Sequence, residues 1–186
     1  MSNLIINKTC IEAVNDFNRL YGQKAINLCP ELNNITINAV CHDDSLHLSE
    51  LNLNSNDAFA YYFYFETSPK TAEIVINKEV LLRQGMDNED IQAAIAHEIG
   101  HIISIENYGD CFKELTAEVL SDYYASKIGL KNQLISLLKK MKDSGEYYDF
   151  QLRWFEKRMD LLEHFPIAND FSTIEKIALA IKMNKN

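Results

Sequence analysis

The run AIAHEIGHII, residues 94–103, sets two histidines four apart in an otherwise apolar stretch, with a glutamate directly after the first. Upstream, Asp87 reads as an N-cap, and Asp90 three residues on completes a capping-box-like start, so the segment that follows is a helix. On a helix His97 and His101 lie one turn apart on one face, with about 6 Å between their Cβ atoms. Two neutral imidazoles at that spacing can share one metal ion. Glu98 lies about 100° round the helix, outside the ligand direction but within reach of a water on such an ion. Gly100 removes a side chain from the helix interior at a cost near 1 kcal/mol, which predicts a backbone neighbour packed close against it.

The 186 residues suit one domain over 1–186, with its core in 58–130 and a helical part in 131–186. Hydrophobic and charged contents of 47% and 24% are those of an ordinary globular chain, and a net charge of −9 argues against nucleic-acid binding. No apolar stretch approaches a membrane span. The opening MSNLIINKTCIEAVNDF has neither the basic region nor the apolar core of a secretory signal, so a cytoplasmic protein without membrane insertion is expected. Cys10, Cys29, Cys41 and Cys111 form no CxxC pair and read as reduced thiols. CHDDSLH offers Cys41, His42 and His47 as a second cluster, but their spacing fits no zinc pattern, and loop residues are the better reading.

Ahead of the histidines, residues 9–29 read as an amphipathic helix through Ile11, Val14, Phe17, Tyr21 and Ile26, closed by Pro30. Strand-like runs follow at ITINAV (35–40), LHLSELNL (46–53), AFAYYFYFE (58–66) and AEIVIN (72–77), with TSPKT making the last two a hairpin. AFAYYFYF is aromatic on both faces, which core and edge packing explains better than ligand stacking. From residue 78 on, the pattern is helical. One helix breaks at Gly109–Asp110, CFKELTAEVLSDYYASKIGL forms the next and ends near Gly129, and others follow at 131–142, 146–164 and 172–183. Strands early and helices late define an α+β domain.

A zinc site needs a third protein ligand, commonly His, Glu or Asp. ELTAEVLSD supplies Glu114, Glu118 and Asp122 at four-residue spacing on one helix face. Like charges so placed destabilise a helix by a few tenths of a kcal/mol per pair, unless a cation lies among them. Glu114 falls near the first turn, where the helix dipole already favours a glutamate; Glu118 sits deeper, where a core-facing carboxylate needs a partner. That favours Glu118.

HExxH followed on a second helix by ExxxD resembles the signature of the gluzincin metallopeptidases. The segment from AEIVIN through AIAHEIGH to ELTAEVLSDYYASKIGL is similar to the small gluzincin domains related to the CAAX prenyl protease and the membrane heat-shock peptidase, over about residues 72–130. The resemblance implies a zincin-like fold, with a small twisted sheet packed on the HExxH helix. It also implies an edge strand, AEIVIN or AFAYYFYF, that pairs with extended peptide. Position by position it implies His97, His101 and Glu118 as Zn2+ ligands, Glu98 as general base, and Asp122 as the carboxylate orienting a ligating imidazole. The relatives' transmembrane helices have no counterpart here. Their His-Pro…Arg-Ile stretch is answered by QLRWFEKRMDLL, where Arg158 takes the arginine's place and the histidine is missing. Arg158 is thereby the catalytic donor to the oxyanion that the resemblance implies, with Arg153, Tyr147, Tyr148 and His164 as other donors.

The activity so implied is zinc-dependent hydrolysis of peptide bonds in a peptide or small protein, with Glu98 moving the proton. A regulatory or binding protein that keeps the fold without proteolysis is the alternative. Cuts at defined positions in a mixed peptide library separate the two.

Overall fold

Residues 11–42, 60–65, 69–77, 80, 83–109 and 114–164 are described by the computed structural model. The first helical stretch is α1 (Ile11–Phe17), a π turn (Asn18–Gly22) and α2 (Gln23–Leu28). The expected single helix is therefore interrupted, for a reason visible in the burial. Val14 and Phe17 face the core, and so do Ala25 and Ile26; the extra residue of a π turn returns the second pair to the stripe of the first. Pro30 then opens a 3-10 turn, Pro30–Asn34, that delivers the chain into a strand.

That strand, β1 (Ile35–His42), lies parallel to β3 (Lys70–Asn77), and β2 (Ala60–Phe65) pairs antiparallel on the other side of β3, giving the order β1-β3-β2. The β2–β3 hairpin is as expected. AEIVIN, however, lies in the central strand with a neighbour on each side, so it is no free edge; among the described residues the edges are β1 and β2. Cys41 and His42 end β1 as strand rather than loop residues. The alternation of side chains resolves the aromatic run of β2. Ala60, Tyr62 and Tyr64 pair with Ile76, Ile74 and Ala72, and all six pack on the main core. LHLSELNL, the 172–183 segment, Cys10, His47, Asp110 and Cys111 lie outside the described residues. Cys29 is a buried free thiol, pushed up to about 11 chiefly by its burial.

The helical half begins with α3 (Asn88–Tyr108), followed by α4 (Glu114–Ile128), α5 (Lys131–Asp143) and α6 (Asp149–His164). Asp87 caps α3 as expected: its side chain accepts from the backbone N–H of Glu89 and Asp90, and Asp90 accepts from Asp87 N–H in return. Every residue of α3 from Asp90 to Ser104 is buried, because α1, the sheet, α4 and α5 surround it. Gly109, at φ 67°, ends the helix in a backbone conformation that favours glycine. No helix among the described residues is long and apolar enough to cross a membrane. The architecture is α+β, with a small mixed sheet on one side of α3 and helices on its others.

Gly100 has the close neighbour its helix position predicts. A Cβ there would lie 2.5 Å from the Ser121 carbonyl oxygen and 2.8 Å from Ser121 Cα on α4. Two backbones, not flexible side chains, would have to move. Gly100→Ala gains helix propensity but overpacks this contact, so a net loss of about 1–3 kcal/mol is expected in denaturant unfolding. A variant as stable as the parent would show that the helices can part freely.

Candidate metal centre

Helices α3 and α4 run antiparallel, as their facing pairs show: His97 meets Asp122, Gly100 meets Ser121, and His101 meets Glu118. The four-residue spacing of HExxH therefore matches the four-residue spacing of ExxxD in reverse. Close approach at Gly100 brings the two rows within reach of each other.

His97, His101 and Glu118 each offer one ligand atom, and these atoms lie within 4.8 Å of one another, so together they can hold a metal ion. His97 Nε2 is 3.3 Å from one carboxylate oxygen of Glu118, and His101 Nε2 is 3.4 Å from the other. For metal–ligand bonds of 2.0–2.1 Å, the edge of a tetrahedron is about 3.3–3.4 Å. The two imidazoles meet edge-on, with centroids 4.8 Å apart at 86°. Glu114 is the first residue of α4.

Asp122 lies behind His97. Its Oδ1 lies 2.8 Å from His97 Nδ1, and the carboxylate is fully buried. Nδ1–H donating to Asp122 leaves the Nε2 lone pair free on the side of Glu118. Asp122→Asn should weaken metal binding about 10–100-fold with the fold intact. Competition with a chelator of known affinity measures this, and an unchanged affinity would deny Asp122 the orienting role.

Arg158 occupies a place the sequence did not foresee. Its guanidinium, buried on α6, grips Asp122 through Nε and Nη2 at 2.7 Å each and reaches Glu118 with Nη1 at 2.9 Å. One arginine thus ties Glu118 to the carboxylate behind His97. The other donors lie elsewhere on or before α6. Tyr147 packs edge-on against Phe155, Tyr148 stacks on Phe150, and His164 sits exposed at the helix end with Nδ1 2.7 Å from the Asp160 carbonyl.

The electrostatics of the cluster favour a cation. Burial works against ionising Glu118, yet the Arg158 guanidinium and both imidazoles hold its carboxyl well below the usual carboxylate range. Asp122 is likewise held low, with Arg158 outweighing its burial. Burial and Arg158 oppose a charge on His97, but Asp122 and Glu118 override them and push it up to about 10. Burial drives Glu98 the other way, above the ordinary carboxylate range, while the two imidazoles pull it back. Ionised, the carboxylates of Glu98, Glu118 and Asp122 outnumber the one guanidinium by two charges. A proton on His97 relieves part of that excess. A dication cancels it and takes the same lone pair.

Tyr62 was not singled out by the sequence. Its ring lies on His101 at 4.7 Å and 13°, so β2 covers the second imidazole. Farther along, Tyr64 donates to Glu106 and Lys70 reaches the same carboxylate at 2.8 Å, fastening β2 and β3 to the end of α3. Aromatic alternation in AYYFYF carried this signal, but only the strand register shows which ring meets which helix turn.

Compared with family models, curated proteins and solved structures, the chain matches none of them.

Proposed function

We propose that this chain is a zinc-dependent peptidase with a zincin-like fold, acting on a peptide or protein substrate. The observation that carries the reading is that His97, His101 and Glu118 each bring a ligand atom within 4.8 Å of the others, with Glu98 adjoining His97 on the same helix. Two imidazoles and one carboxylate are a donor set that suits zinc and leaves a fourth position open. Zinc held there would supply Lewis acidity, polarising a carbonyl oxygen and acidifying water.

The residues do the rest. Glu98 takes a proton from the attacking water and delivers it to the leaving amine nitrogen, a task suited to a carboxylate whose proton affinity burial has raised. Asp122 fixes the tautomer and tilt of His97. Arg158 acts as a positioning residue, since its three nitrogens face Asp122 and Glu118; it clamps the ligand carboxylate instead of facing a developing oxyanion. Tyr62, stacked on His101, holds the other imidazole in plane. The β2 edge beside it is the strand along which an extended peptide would lie.

Metal-free protein titrated with zinc should bind one ion per chain, and the loaded protein should cut a mixed peptide library at defined positions. Zinc binding without any cut would assign the non-proteolytic reading. No zinc binding would remove the site.

A further inference from the structure

The exposed large hydrophobic side chains among the described residues are Leu20, Tyr148 and Phe150, and the last two belong to one array. Tyr148 is 67% and Phe150 50% exposed; their rings stack at 6.2 Å and 7°, and Phe150 meets the half-buried Trp154 edge-on at 6.1 Å. The array is held in place. The Tyr148 backbone N–H donates to Gln151 Oε1 at 3.0 Å, and the Gln151 and Leu152 N–H groups return to the Tyr148 carbonyl. Rings presented to water from a fixed backbone contribute little to the core and mark a binding surface.

Its position says what binds. Trp154 packs on Leu115 and Val119, which form a small core of their own on α4 and flank Glu118 in sequence. Four residues beyond Trp154 on α6 is Arg158, which holds Glu118. Glu118 is also the least buried of the three ligands, with 29% of its side chain exposed against 9% for each histidine. Through Trp154 the ledge thus packs on the helix that carries Glu118, and through α6 it shares an element with the arginine that holds Glu118. The charges near it are mixed: Asp149, Arg153 and Glu156 lie on the same stretch of α6, which offers nothing to an anionic membrane.

We propose that Tyr148, Phe150 and Trp154 form a subsite for an aromatic or large aliphatic side chain of a polypeptide held at the metal centre. This rests on the peptidase reading and narrows it to substrates that carry such a residue near the bond cut. Two flat rings and an edge-on third accept an apolar side chain by burial and stacking, with no partner needed for a charged one.

Trp154 is the single tryptophan of the chain, so intrinsic fluorescence reports on the ledge itself. The full-length, zinc-loaded Glu98→Gln protein would be titrated with two blocked Gly-Ser decapeptides, one with a central Phe-Leu-Phe and the other with Asp-Ser-Asp there. The apolar peptide should shift Trp154 emission and bind about tenfold tighter or more, and Phe150→Ser should erase that preference. Zinc content and far-ultraviolet circular dichroism should match the parent, which separates a lost subsite from a lost fold. Equal affinities, or a preference that survives Phe150→Ser, would overturn the subsite. So would emission that changes with protein concentration alone, since a second copy would then cover the rings. The titration needs no cleavage, so a bound peptide that the parent protein never cuts would sink the peptidase reading and keep the ledge. Cleavage insensitive to Phe150→Ser in KM would do the opposite.

Discussion

Glu98→Gln should keep zinc bound and lose peptide hydrolysis about 10²–10⁴-fold, the contribution of a well-placed general base. The side chain points away from the ligand row, since His97 and His101 share a face that residue 98 does not. An amide of the same shape therefore leaves the ligands where they are. It removes the one carboxyl beside them that burial has lifted above its ordinary range. It also takes away one negative charge of the cluster, so any loss of zinc affinity would have to be separated from the loss of rate by assay at saturating metal. Turnover at the parent's rate on a substrate the parent cuts would remove Glu98 from the mechanism.

Much of this site was legible because its parts are local. The capping box of Asp87 and Asp90 starts α3, the four-residue spacing sets His97 over His101, and the same spacing recurs in Glu118 and Asp122. Even the missing side chain at Gly100 foretold the backbone of Ser121. Whatever depended on long-range placement was not legible. Periodicity identifies β3 as a strand but cannot say that β1 and β2 both pair with it, so AEIVIN looked eligible as an edge. Likewise, α6 shows an apolar stripe on which Arg158 falls, but only packing shows that it reaches Asp122, 36 residues away in sequence. The π turn between α1 and α2 escaped for a third reason: one inserted residue leaves each half periodic and shifts only their relative phase.

Those long-range contacts sharpen the expected result for the third ligand. Glu118→Ala should abolish tight zinc binding, a far larger effect than the roughly 10–100-fold loss expected when a supporting group such as Asp122 is changed. Each oxygen of Glu118 faces a different imidazole, at 3.3 and 3.4 Å, so truncation takes away the acceptor common to both. It also frees the Arg158 Nη1 that Glu118 holds at 2.9 Å, so a guanidinium that had two carboxylate partners keeps only Asp122, with Nη2 3.3 Å from His97 Nδ1. Its positive charge repels a dication directly, adding to the loss of a ligand. Glu114→Ala lies a turn earlier, at the start of α4, and should leave zinc binding nearly unchanged. Adding Arg158→Met to Glu118→Ala tests the second half of the mechanism. If repulsion matters, the double variant recovers part of the zinc affinity that Glu118→Ala loses, even though it removes one more contact. If affinity falls further instead, Arg158 serves the metal only by holding Asp122, and the loss in Glu118→Ala is the loss of a ligand alone.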